Sequence, residues 1–177
     1  VFYAYHDQLT GLPNRKSLYE RLEQAVGLAK RGDGQSMCGL IMLDIDDFKA
    51  VNDTMGQDLA DKVIVSFAGR LRQSIRESDY LFHLGGDDFC ILLHHLKDDT
   101  DLGIVADKIR RRSEEPLQVG DTGTAVQASM GLAIYPRDGE DAMSLAASAE
   151  TALVEAKRER NTYRFYTREM YRKIMDR

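Results

Sequence analysis

The 177-residue sequence predicts an α+β fold: an antiparallel central sheet in βαββαβ order, flanked by helices. Three observations carry that reading. Residues 37–45 are almost continuously apolar, as a strand buried on both faces requires. Leu59, Val63, Phe67, Leu71 and Ile75 recur every four residues, which is one stripe of a helix. Two further apolar runs, 80–84 and 89–96, are separated only by Gly85-Gly86-Asp87-Asp88, a tight turn joining a hairpin.

Each element follows from local chemistry. Residues 1–13 read as the end of an incoming segment and a turn at Gly11 and Pro13. Asn14 can cap a helix to about residue 29, with Leu18, Leu22, Ala25 and Ala29 on one face. Arg31-Gly32-Asp33-Gly34 breaks it. The strand 37–45 stops at Asp44-Ile45-Asp46-Asp47, and residues 48–53 form a short helical turn ending near Gly56. After the 59–75 helix and the hairpin, Leu102, Val105 and Ile109 mark a helix that ends before Pro116. A polar turn at 120–123 leads into a strand at about 125–135. An alanine-rich helix (142–158), a last strand (163–166) and a helix from Arg168 complete the chain. This is the split βαβ, ferredoxin-like order, with an added hairpin and a terminal strand. In that topology the first and third strands are antiparallel neighbours at the centre. The end of the first (Asp44) and the start of the third (Asp87, Asp88) therefore meet at one sheet edge.

Composition narrows the function. Lysine plus arginine is 24 and aspartate plus glutamate 29, a net charge of −5. That balance argues against bulk electrostatic binding of a nucleic acid polymer. No apolar run is long enough to span a membrane, and no signal peptide is evident. The chain opens at Val1 without a methionine, so a longer parent protein is expected. Cys38 and Cys90 lie in apolar strands and read as buried free thiols of a reducing compartment. A cytoplasmic domain follows, whether or not its parent is anchored in a membrane.

Acids gathered at one edge repel one another and are pushed towards protonation, a cost a divalent cation removes. Magnesium favours oxygen ligands, typically one or two carboxylates with phosphate oxygens. Asp44 and Asp87, with a main-chain carbonyl near Ile45, fit that description. Two such ions could clamp the attacking and leaving oxygens of a phosphoryl or nucleotidyl transfer. Each feature alone also has a plainer meaning, a strand end or a tight hairpin; their coincidence at one edge points to a site. Lys49, one turn after Asp44, could reach phosphates or be a solvated helix charge. Asn52 and Asp61 suit a guanine edge but also suit helix caps. His94-His95 read as solvent-facing, and Arg110-Arg111-Arg112 as a solvated helix end.

These residues resemble the GGDEF domain, the diguanylate cyclase family, across nearly the whole chain. Residues 7–15 (DQLTGLPNR) look like its D-x-L-T-G-L-x-N-R entry. Residues 43–53 (LDIDDFKAVND) are similar to its D-x-D-x-F-K-x-x-N-D block, and 85–89 (GGDDF) to its naming motif. Tyr135-Pro136 and Ala156-Lys157-Arg158 fit later landmarks. The resemblance implies a palm-type sheet, with one GTP on each of two subunits of a homodimer. It implies condensation to cyclic di-GMP with release of pyrophosphate. By position, Asp44, the Ile45 carbonyl and Asp87 would hold Mg2+ (or Mn2+). Lys49 and the amides around Phe48 would bind phosphates, Lys157 the terminal phosphates, and Asn52 and Asp61 the guanine. Asp87 or Asp88, with Lys49, would serve the chemistry. Arg76-Glu77-Ser78-Asp79 matches the family's R-x-x-D product-inhibition site.

Departures from the family pattern are also visible. Asp88 stands for the usual glutamate, His83 for arginine, Gln57 for histidine, Ala60 for glycine and Glu150 for aspartate, and Arg160 falls where the pattern is one residue short. The shorter Asp88 withdraws its carboxylate by about one C–C bond, and a shift of roughly 1 Å can cost about a hundredfold in rate. A binding module that holds GTP or cyclic di-GMP to regulate an attached domain is the rival reading. The resemblance places the GGDEF domain at 1–166. It makes 167–177 the start of a linker helix into a cyclic di-GMP phosphodiesterase (EAL) domain.

Overall fold

The computed structural model describes residues 2–32 and 36–176. In chain order the elements are α1 (Phe2–Tyr5), α2 (Arg15–Arg31), β1 (Met37–Ile45), α3 (Phe48–Met55), α4 (Gln57–Ser74), β2 (Tyr80–Gly85), β3 (Asp88–Leu96) and α5 (Asp99–Arg112). There follow β4 (Leu117–Val119), β5 (Thr122–Thr124), β6 (Ala128–Tyr135), α6 (Ala142–Glu159), β7 (Tyr163–Phe165) and α7 (Arg168–Met175). The expected cap of α2 is present: Asn14 accepts a hydrogen bond from the Ser17 amide at 3.2 Å. The expected break after α2 is seen as far as Gly32, and Asp33 and Gly34 lie outside the described residues.

The central sheet has the order β2-β3-β1-β6-β7. β1 is antiparallel to both its neighbours, β3 and β6, and β2 is antiparallel to β3. This is the antiparallel βαββαβ core the sequence predicts. The terminal strand differs, because β7 runs parallel to β6. The reason is the connection: α6 crosses back over the sheet between them, as a parallel pair requires. Helices cover both faces. Ile41, Leu43 and Ile45 of β1 pack with Val63, Phe67 and Leu71 of α4 and with Leu102 and Ile109 of α5. Leu40 and Met42 point the other way, onto Leu18 and Leu22 of α2 and Leu145 and Ala149 of α6. Full burial of each large side chain contributes about 1.5–3 kcal/mol.

Two details set the site. The alanine-rich α6 lies close against β6: a Cβ at Gly131 would overlap the backbone of Ala149 and Leu153. That approach brings the end of α6 to the β1 edge. The added hairpin is β4–β5, closed around the polar turn. Pairing of 122–124 within it delays β6 to Ala128, three residues later than expected. Cys38 and Cys90 are buried and free; burial pushes the Cys38 thiol up to about 12. His95 is exposed, and His94 is half-buried, its Nε2 donating to the Ser78 carbonyl at 3.0 Å. No helix among the described residues is long and apolar enough to cross a membrane.

Candidate active site

β1 and β3 end together. Asp44 pairs across to Asp88 on one side and to Ser129 on the other, while Ile45 pairs only with Ala128. Gly85 (φ 118°) and Gly86 (φ 52°) adopt left-handed backbone at the turn, a region open to glycine without Cβ strain. The turn folds Asp87 back to the edge. Carboxylate oxygens of Asp44, Asp87 and Asp88 lie within 4.8 Å of one another. The acids predicted to converge do converge.

The electrostatics match that crowding. Burial, reinforced by Asp87 and Asp88, raises the Asp44 carboxyl to about 6, although Lys157 pulls against it. Asp87 is also raised, first by burial and then by Asp88, with its own amide, Lys157 and the Ile45 amide opposing. Asp44 Oδ1 is buried with no hydrogen bond of normal geometry, and the Lys157 ammonium is its ion-pair partner. Lys157 comes from the last turn of α6. Its desolvation is outweighed by Asp44 and Asp46, which hold it above the ordinary lysine range.

Asp46 is a different kind of acid. It is 8% exposed. Its Oδ1 accepts from the Ser129 hydroxyl at 2.6 Å, and its Oδ2 from the Asn161 amide at 2.8 Å; Lys157 Nζ stands 3.4 Å from Oδ1. Asp46 therefore ties the β1 edge to β6 and to the chain leaving α6. Sequence reasoning missed this role, and only its Asp-x-Asp spacing from Asp44 could have hinted at it. Asp47, in left-handed backbone (φ 56°), pairs with Arg160 at 2.9 Å.

The other predicted residues flank the acids without bonding to them. Phe48 packs against the core from the first turn of α3, whose leading amides have no intrahelical acceptor. Lys49 is exposed and Asn52 half-buried on the same helix. Asp61, on α4, accepts from the Gln57 side-chain Nε2 at 2.7 Å. Arg76 and Asp79 sit at the opposite end of β2, roughly 17 Å of strand away. Asp79 is buried there, accepting from the Arg76 amide at 2.9 Å, while the Arg76 side chain is exposed.

Three converging carboxylates, one with a buried and poorly bonded oxygen, are a donor set suited to a hard divalent cation. The edge can thus hold a divalent cation.

Comparisons with known proteins agree with this arrangement. Residues 4–162 match the family described as "Diguanylate cyclase, GGDEF domain". The chain is 39% identical over 168 residues to the bifunctional diguanylate cyclase/cyclic di-GMP phosphodiesterase MucR of Pseudomonas aeruginosa, covering 94% of this chain and 24% of that protein. It is 35% identical over 157 residues to the diguanylate cyclase TpbB of the same species, covering 88% of this chain and 36% of that protein. The chain thus spans about a quarter to a third of these relatives. The solved GGDEF domain of TpbB (YfiN) superposes with a TM-score of 0.91 at 32% identity, over 96% of this chain and 99% of that one. The GGDEF domain of DgcB from Caulobacter crescentus, solved with c-di-GMP, gives 0.83 at 30%, over 92% and 93%. The palm-like sheet, the acid edge and the family match together make this chain a member of the GGDEF-domain, diguanylate cyclase family.

Proposed function

We propose that the domain condenses two GTP molecules into cyclic di-GMP, as a homodimer with one GTP on each subunit. In each half-reaction the 3′-hydroxyl oxygen of one GTP forms a bond to the α-phosphorus of the other. The bond from that phosphorus to the pyrophosphate oxygen breaks, pyrophosphate leaves, and the hydroxyl proton passes to Asp87 or Asp88. Asp44, the Ile45 carbonyl and Asp87 would hold Mg2+ or Mn2+, which supplies charge neutralisation at the attacked phosphate. Lys49 and the leading amides of α3 around Phe48 bind phosphates and stabilise developing charge. Lys157 turns from Asp44 to the terminal phosphates once a cation occupies the edge. Asn52 and Asp61 read guanine.

The observation that carries the reading is the convergence of the Asp44, Asp87 and Asp88 carboxylates at the glycine turn, with Lys157 the one cation paired to the buried Asp44 oxygen among the described residues. Feedback by cyclic di-GMP at Arg76 and Asp79 is supported by the exposed Arg76 and by the Asp79 carboxylate held by the Arg76 main-chain amide. A guanidinium can stack on guanine and fork onto its acceptors. The domain occupies 1–166. Residues 167–177 begin a linker into an EAL phosphodiesterase domain, as the two-activity name of MucR supports.

The test is incubation of the domain, joined as a dimer, with GTP and magnesium. Cyclic di-GMP and pyrophosphate are expected, with more product from Asp88→Glu and weaker product inhibition in Arg76→Ala. GTP binding without product would make the domain a regulatory module, and absence of both would overturn the reading.

A further inference from the structure

His83 is 1% exposed, lies between the site turn and the N-terminal turn, and takes no part in the chemistry above. Its Nε2 is 2.8 Å from the Gly86 carbonyl. Its Nδ1 is 2.8 Å from Asp7 Oδ1 and 3.1 Å from the Thr10 hydroxyl. Its ring stacks on Phe89, centroids 4.5 Å apart.

The donor count is informative. A carbonyl only accepts, so Nε2 carries hydrogen. Asp7 Oδ1 already accepts the Leu9 and Thr10 amides, both at 2.9 Å. Burial acts to raise the Asp7 carboxyl, but the Thr10 amide and His83 outweigh it and hold it below the ordinary range. An ionised Asp7 is an acceptor, so Nδ1 carries hydrogen too. The Thr10 hydroxyl is the other possible donor on that side, and it stands 3.2 Å from the same Asp7 oxygen. Other titratable or charged groups near the ring are His6, Arg15 and Lys16, which line the open cleft with Asp7 and His83. From β3 and α4 the neighbours are apolar: Phe89, with Phe67 edge-on behind it.

We propose that His83 is a positioning residue, a two-donor clasp tying the Gly86 carbonyl of the site turn to the Asp7 turn, closed only when both ring nitrogens carry hydrogen. The clasp fixes the peptide that presents Asp87. Loss of one ring proton leaves either Gly86 or Asp7 without its donor, so the tie opens as pH rises. A guanidinium at this position would keep its donors throughout. The effect on turnover rests on the proposed cyclase activity; the clasp itself does not.

The test uses the whole chain without metal or nucleotide. NMR follows the His83 ring nitrogens and the Gly86 and Asp87 amides from about pH 5.5 to 9, in wild type, His83→Arg and Asp7→Asn. Wild type should show both ring nitrogens protonated while the Gly86 contact persists. A one-proton step should then appear at the two amides when the ring titrates. His83→Arg should lack that step, although it keeps every acid of the edge, and Asp7→Asn should move it to lower pH. A ring with a single hydrogen while both contacts persist, or the same step in His83→Arg, would overturn the proposal. Where turnover is measurable, wild type should lose about tenfold in kcat relative to His83→Arg on the alkaline side, with KM for GTP little changed. An inactive domain would count against the cyclase reading alone, since the NMR comparison stands without it.

Discussion

Asp44 and Asp46 stand two residues apart at the end of β1, yet they occupy opposite chemical situations. Asp46 is the more buried, and both its oxygens are met by donors from Ser129 and Asn161. Asp44 is less buried, but one oxygen has no hydrogen bond of normal geometry, and two other carboxylates face it. Its carboxyl is driven up to about 6. Burial alone therefore does not decide what an acid does; the donors supplied to it do. Asp46 is spent on structure. Asp44 has the Lys157 ion pair and two facing acids instead of a full set of donors.

That contrast can be broken in three ways. The largest effect is expected from Asp44→Asn. Metal-dependent GTP turnover should fall on the order of a thousandfold, while the metal-free domain folds at least as stably as wild type. Denaturant unfolding alongside the cyclase assay checks both halves, and a large loss of stability would make Asp44 structural as well. Next comes Asp46→Ala. It strands the Ser129 hydroxyl and the Asn161 amide, and should cost about 3 kcal/mol in the same unfolding experiment. A cost near zero would remove the distinction between the two acids.

The third concerns pH. A carboxyl whose folded value lies above its ordinary 3.8 favours the folded state at low pH. That contribution is present below about pH 4 and is lost as pH rises through about 6. Asp87, raised in the same direction, adds to the loss. The metal-free domain should thus lose Tm between pH 4 and 7, and magnesium should restore it at the upper end. Apparent magnesium affinity should in turn fall about tenfold for each pH unit below 6, as the proton on Asp44 competes with the cation. Thermal unfolding with and without magnesium, and calorimetry across pH 5–8, measure both. A flat profile would mean that Lys157 fully compensates the edge.

The same contrast explains what could be read from the sequence. An apolar run ending in Asp44, and a glycine pair followed by Asp87 and Asp88, are local signals. The βαββαβ order then makes them neighbours without further information. For Lys49, Asn52 and Asp61 the residues alone left a phosphate or guanine role open beside ordinary ones, and Arg76, Asp79 and Lys157 were singled out only by family resemblance, since a charged or amide side chain on a helix has many ordinary uses. Asp46 looked like one more acid in Asp44-Ile45-Asp46-Asp47. Its partners are 83 and 115 residues distant, and no local period links them. His83 sat inside an apolar strand, and its meaning appears only when the N-terminal turn and the Gly86 carbonyl close around it. The three-residue strands β4 and β5 carry too few positions for alternation to mark them, whereas β7 was expected at 163–166 and is found at Tyr163–Phe165.

The central claim is that Asp44 and Asp87 share a divalent cation with the phosphates of GTP. Anomalous diffraction from crystals grown with manganese and a non-hydrolysable GTP analogue tests it most directly. The account predicts a manganese peak bonded to both carboxylates, with the triphosphate over the first turn of α3 and Lys157 released from Asp44. Manganese bound away from Asp44, or a triphosphate seated elsewhere while the Lys157 pair remains closed, would contradict it.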